Sequence, residues 1–204
     1  MHLFLVRHGE TEYNRQNLAL GQEDVPLNET GLRQAEALGR ALSGERLAVV
    51  YASPLVRASL TAEAIAKPYG LEVVIEDGLI EMDVGEMDGM PFTDLREKFP
   101  GFLERWLGPE GSNERMPGGE RLVDVRERAG AALSAIVERH EGERICLVSH
   151  NFVILSLLTQ LMGLKLASFR RLRHSVAAIT RVEWRHGAPT VVSLNDTCHL
   201  AGIT

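Results

Sequence analysis

Four short apolar runs, each set apart from the next by helical periodicity or loop, constrain this chain more than any other feature. Residues 3–6, 48–51, 73–75 and 145–148 show no polar alternation, as expected of strands covered on both faces. Leu32, Ala35, Leu38 and Leu42 recur on one face of a predicted helix opened by Thr30-Gly31. Leu55, Ala58, Ala62 and Ile65 do so on a second, for which Pro54 is a suitable start. Leu122, Val125, Ala129, Leu133, Ile136 and Val137 mark the buried face of a long third, and residues 152–162 read as a buried helix. Strands alternating with helices predict an α/β three-layer domain with a mainly parallel central sheet flanked by helices. Residues 177–184 and 190–194 flank His186-Gly187, which predicts an antiparallel hairpin at the edge of that sheet.

Residues 76–119 break the rhythm. Glycines and the prolines Pro91, Pro100, Pro109 and Pro117 interrupt every period there, and the segment reads as a small lid-like insertion of short helices and loops. With 204 residues in total, residues 1–204 are expected to form one domain, large enough to need no metal or disulfide staple. Lys and Arg total 22 against 28 Asp and Glu, a net charge of −6, which argues against a general nucleic-acid binder. The two cysteines, Cys146 and Cys198, make neither a disulfide framework nor a zinc site. The apolar run at residues 3–6 is too short for a signal or membrane segment. A soluble, cytoplasmic protein with no membrane partner is the expectation, and the edge hairpin leaves a homodimer open.

The unusual residues stand where the strands end. Arg7-His8-Gly9-Glu10 follows the first strand, Ser53-Pro54-Leu55-Val56-Arg57 the second, Glu81 comes a few residues past the third, and Ser149-His150 closes the fourth. Ligands of open parallel sheets gather outside the carboxyl ends of the strands. Two arginines, two histidines and a carboxylate on one rim suit phosphoryl transfer. A guanidinium is a permanently charged fork matched to phosphate oxygens. A histidine between two of them can attack phosphorus through a neutral ring nitrogen. A carboxylic acid can protonate the departing alkoxide and then take a proton from water. Such a site works without a metal or other cofactor.

These residues also resemble a known family. Leu5-Val6-Arg7-His8-Gly9-Glu10-Thr11 with Asn14, then residues 21–27, Gly31-Leu32-Arg33-Gln34-Ala35 and Ser53-Pro54-Leu55-Val56-Arg57-Ala58, are similar to the histidine phosphatase (phosphoglycerate mutase-like) superfamily, phosphatase branch. Gly118-Gly119-Glu120, Val148-Ser149-His150 and residues 195–200 extend the match nearly end to end. The resemblance implies that His8 is the phosphorylated nucleophile, Glu81 the proton donor, and Arg7, Arg57 and His150 the phosphate pocket. It also implies that Asn14 contacts the phosphoryl group or its entry and that Gly21 and Gln22 line the mouth. The substrate would be a small-molecule phosphate monoester. Departures stand at Asn151-Phe152, Met87 and Arg121 and bear on substrate choice rather than on the core chemistry.

Blander readings exist for each position. Arg7 and Arg57 could be surface ion-pair residues, His150 a strand end, and Asn14 a turn residue. Glu76, Asp77, Asp83, Glu86 and Asp88 crowd the segment around Glu81. Glu10 is expected to hold the arginines or the loop rather than to react. His199 reads as structural or rim, and His2, His140, His174 and His186 as scattered surface histidines. Arg170, Arg171, Arg173 and His174 read as a solvated basic face. For a substrate carrying a carboxylate, Arg115 and Arg121 are the candidate cations by position. Two other functions share the architecture: a cofactor-dependent phosphoglycerate mutase and a non-catalytic phospho-ligand binding protein.

Overall fold

The computed structural model describes residues 1–185 and 187–203. Six strands make one sheet: β1 (His2–Arg7), β2 (Val49–Ala52), β3 (Val73–Ile75), β4 (Arg144–Ser149), β5 (Ile179–Arg185) and β6 (Ala188–Asp196), in the order β3-β2-β4-β1-β5-β6. The first four run parallel, with Leu5 beside Leu147 and Tyr51 beside Leu147 across the ladders. β5 is antiparallel to β1, and β6 is antiparallel to β5. The helices are α1 (Glu12–Arg15), α2 (Glu29–Leu42), α3 (Val56–Ala66), α4 (Phe92–Lys98), α5 (Pro100–Leu107), α6 (Leu122–Arg139) and α7 (Asn151–Leu161). None is long and apolar enough to cross a membrane.

Period-two alternation splits the core between the two faces of the sheet. Leu3, Leu5, Tyr51, Ile145 and Leu147 pack with α6 and α7, while Phe4, Val6, Val50, Cys146 and Val148 pack with α2 and α3. This is why β1, β2 and β4 read as unbroken apolar runs: both their faces are covered, whereas at the edge strand β3 the expectation fails, with Val74 41% and Ile75 49% exposed. Cys146 is one of these buried side chains and carries no disulfide.

Several local expectations shift. In α2 the buried stripe is Gly31, Ala35, Leu38 and Leu42, and Leu32 is 48% exposed. Gly31 faces inward because the backbone of Glu10 crosses it, so that a Cβ there would stand 2.0 Å from the Glu10 carbonyl oxygen. α3 starts at Val56, whose N–H donates to the Asp24 carboxylate at 2.7 Å, and Pro54 lies before the helix. β5 starts at Ile179 rather than at 177, because Ala177 has φ +52, outside the extended region. The hairpin closes with Arg185 opposite Ala188, and His186 of the expected turn lies outside the described residues. In the long α6, Val137 is only half-buried, at the end of the apolar stripe.

Candidate active site

The loops that follow β1, β2 and β4 meet at the carboxyl edge of the parallel strands, and residues 76–89 after β3 close over them. His8 sits just past β1, 2% exposed. Its Nδ1 lies 2.7 Å from the Gly9 carbonyl oxygen. A carbonyl can only accept, so Nδ1 carries the proton and Nε2 keeps its lone pair. Gly9 also lets the start of α2 pack close, since a Cβ there would lie 2.6 Å from the Gly31 carbonyl oxygen. Burial, then the charges of Arg57 and Arg7, hold the His8 imidazole well below its usual range, so it stays neutral.

His150, at the end of β4, is fully buried with its ring centroid 5.1 Å from that of His8. Its Nε2 is 2.7 Å from Ser53 Oγ. Ser53 Oγ, which also accepts from the Leu55 N–H at 3.3 Å, can donate to Nε2, and that tautomer puts the His150 proton on the unpartnered Nδ1. Burial, followed by the Arg57 charge, pushes this imidazole well down too.

Both arginines are held by backbone carbonyls rather than by carboxylates. Arg57, fully buried, donates from Nη1 to the Glu23 carbonyl at 2.8 Å and from Nη2 to the Gly21 carbonyl at 2.6 Å. That turn is braced by Asp88, which accepts from the N–H groups of Gly21 and Glu23, each at 2.8 Å. Arg7 Nη1 donates to the His174 carbonyl at 2.7 Å and to Asn151 Oδ1 at 3.2 Å. Burial lowers Arg7 to about 10, which leaves it cationic at neutral pH. A carbonyl fixes a guanidinium without neutralising it, so the positive field remains available to an anion.

Buried polar atoms are normally paired. Among the described residues five buried side-chain atoms lack a partner, and four of them are Arg7 Nε, Arg57 Nε, His150 Nδ1 and His174 Nδ1. Three belong to the residues expected to form a phosphate pocket. Their concentration around His8 marks a site with anion donors in reserve.

Glu81, 3% exposed, accepts from the N–H of Met82 at 2.8 Å and of Phe152 at 3.3 Å. Burial raises its carboxyl above the usual range against the pull of those hydrogen bonds and of Arg57 and Arg7. Its backbone is clamped: Arg128 on α6 donates to the carbonyls of Gly78, Ile80 and Glu81 and pairs with Glu120. Arg7, His8, Glu81 and Asn14 line one cavity of about 730 Å³. Asn14 Oδ1 is occupied by the Thr11 N–H at 3.1 Å, closing the cap of α1.

Several expectations are corrected here. Gly21 and Gln22 do not line the cavity, and neither do the fully buried Arg57 and His150. Gly21 presents its carbonyl to Arg57, and Gln22 Nε2 donates to the Glu81 carbonyl at 2.9 Å. Of the two roles expected for Glu10 the loop is the one seen: its carboxylate accepts from Asn28 and its N–H donates to Gln34, and it pairs with neither Arg7 nor Arg57. Arg115 and Arg121 both engage Asp124 and are not among the residues that line the cavity. His174 is not a surface histidine: it is 1% exposed and lines the cavity, and burial lowers it to about 4. Arg170, Arg171 and Arg173 of the same run are exposed as expected, Arg170 with its guanidinium over the rings of Trp106 and Phe169 at 5.0 and 4.4 Å. His199 is structural, with Nε2 2.9 Å from the Ala177 carbonyl oxygen. The anchors Asn151, His174 and Arg128 were missed. For Glu120 the Gly118-Gly119-Glu120 block was the available signal.

Comparison with known proteins agrees with this geometry. Residues 3–197 match the model of the histidine phosphatase superfamily (branch 1). The chain is 36% identical over 198 residues to phosphoserine phosphatase 1 of Hydrogenobacter thermophilus, covering 97% of this chain and 93% of that one. It is 32% identical over 206 residues to a Yersinia pestis protein named "Probable phosphoglycerate mutase GpmB", covering 98% and 95%. The solved structure of Bacillus stearothermophilus YhfR superposes with a TM-score of 0.89 at 31% identity, covering 98% of each chain. The chain belongs to the histidine phosphatase superfamily, branch 1.

Proposed function

We propose that this enzyme hydrolyses a phosphate monoester of a small molecule through a phosphohistidine at His8. The observation that carries the reading is a neutral imidazole, its Nδ1 proton held by Gly9, beside unpartnered buried donors on Arg7, Arg57 and His150. The phosphoryl oxygens take those donors. His8 Nε2 attacks phosphorus as the P–O bond to the alcohol breaks, and the departing oxygen takes the proton of Glu81. The carboxylate so formed then accepts a proton from water, whose oxygen attacks phosphorus and releases inorganic phosphate and the neutral ring. Two fixed cations offset charge developing on the phosphoryl oxygens, and the donors are in place before substrate arrives. Guanidinium and imidazole N–H groups do this without a metal, so a chelator is expected to leave turnover unchanged. The chain is proposed to act as one domain, with residues 76–119 supplying the cover of the site.

A second reading has one observation in its favour, the likeness to the protein named a phosphoglycerate mutase. A mutase must return the phosphoryl group to a second hydroxyl of a multiply anionic substrate. The two arginines placed to recognise such a substrate, Arg115 and Arg121, are engaged by Asp124. Incubation with 3-phosphoglycerate and a trace of 2,3-bisphosphoglycerate separates the two. Free phosphate without 2-phosphoglycerate is the expected product, and 2-phosphoglycerate in excess of phosphate would favour the mutase. The third possibility, a phospho-ligand binding protein without turnover, would bind inorganic phosphate yet release none from any monoester.

A further inference from the structure

The cavity leading to His8, about 730 Å³, is far larger than a phosphoryl group and falls in the range that encloses organic ligands of roughly 300–1,000 Å³. Its wall beyond the charged end is apolar. Phe102 and Trp106 stack with centroids 6.0 Å apart, Phe152 meets Trp106 edge-on at 6.1 Å, and Leu155 lies one turn along α7 from Phe152. All four line the cavity. Arg170, stacked on Trp106 and Phe169 and donating to the Trp106 carbonyl, braces this wall from behind.

The apolar lining continues into solvent. Phe92 at the start of α4 and Leu107 at the end of α5 also line the cavity, and they are 59% and 61% exposed. Large apolar side chains left in water at a cavity mouth mark a binding surface. Positive charge for a second anionic group is sparse: among the described residues, Arg173 at the rim is the one arginine besides Arg7 that lines the cavity.

We infer that the substrate's alcohol is bulky and apolar, a medium-chain alkyl or aryl group seated between the Phe102–Trp106–Phe152 wall and the Phe92–Leu107 rim. This rests on the phosphatase reading and specifies its leaving group. An amino acid or hydroxy acid would place charge against hydrocarbon, at a desolvation cost that Arg173 alone is poorly placed to offset.

The test is phosphate release from ethyl, butyl, hexyl and octyl phosphate beside phosphoserine and 3-phosphoglycerate. The alkyl series holds leaving-group basicity nearly constant, so its trend reports burial. The expected result is a rise in kcat/KM of about fourfold per methylene until the cavity is filled, with octyl phosphate well ahead of both charged substrates. The double variant Phe92→Ser, Leu107→Ser, made at exposed positions that folding tolerates, is expected to lower the octyl-to-ethyl ratio several-fold. A flat or falling series, with phosphoserine or 3-phosphoglycerate preferred, would overturn the inference. Uncleavable alkyl phosphonates keep it separate from the phosphatase reading. Affinity that rises with chain length without any turnover would reject the phosphatase and keep the pocket, whereas affinity indifferent to chain length would reject the pocket whatever the turnover.

Discussion

At the scale of single residues, one hydrogen bond decides which nitrogen of His8 can react. Nδ1 is committed to the Gly9 carbonyl, and burial beside two guanidinium groups keeps the ring neutral. His8→Ala is therefore expected to reduce phosphate release by at least about 10³-fold while the far-UV spectrum and thermal midpoint stay near wild type. For Glu81 the direction of the shift makes it an acid: burial raises the carboxyl, so its proton persists above the normal carboxylate range. Activity on alkyl phosphates should fall as pH rises through that value. Glu81→Gln should remove this limb and slow alkyl phosphate turnover by roughly 10²–10⁴-fold, with a smaller loss for p-nitrophenyl phosphate, whose leaving group needs no proton. The catalytic candidates were legible because strand ends in a parallel sheet converge whatever lies between them. His174 was not. In the chain it follows three arginines within five residues, and only the return of the backbone beneath Arg7 buries it.

At the scale of elements, the site depends on how loops are tied to helices. The segment holding Glu81 has two short turns of 3-10 helix and, among the described residues, no strand partner of its own, and Arg128 of α6 fastens three of its carbonyls. Arg128→Ala is expected to cost about 2 kcal/mol, from lost hydrogen bonds to a charged group, and to reduce kcat more than it raises KM. Steady-state kinetics with urea unfolding checks both, and an unchanged kcat would show that the clamp serves stability alone. Elements with long apolar stripes, such as α6 and α7, could be read from periodicity. Those of residues 76–119 could not: α4 and α5 have 7 and 8 residues, too few for a period to register, and Pro91 and Pro100 punctuate them. The apolar wall of the cavity comes partly from that segment, which is why the residues proposed for the chemistry could be named from sequence and the proposed apolar substrate could not.

At the scale of the whole molecule, the central strands β1, β2 and β4 carry core on both faces and a charged site at one edge, and the cost of that edge shows in pH. His8, His150 and His174 are all shifted down from 6.5, His174 to about 4. Each binds its proton more readily unfolded than folded, so the stability tied to it is complete above about pH 6.5 and is lost as pH falls toward the folded value. Each imidazole can contribute up to about 1.4 kcal/mol per pH unit in that window. Glu81, raised, has the opposite sign: its contribution is complete below 4.5 and is lost as pH rises through its folded value. Three histidines outweigh one carboxyl, so the urea midpoint is expected to drop between pH 6.5 and 5, and less steeply in His174→Gln. An unchanged slope in that variant would mean that His174 takes up its proton without unfolding. The central claim has a more direct test, a rapid alkaline quench during turnover followed by peptide mapping. The account predicts a single acid-labile phosphoryl group on Nε2 of His8, formed before steady state and discharged once substrate is spent. Turnover with no phosphoryl group on His8, or with one on another residue, would contradict it.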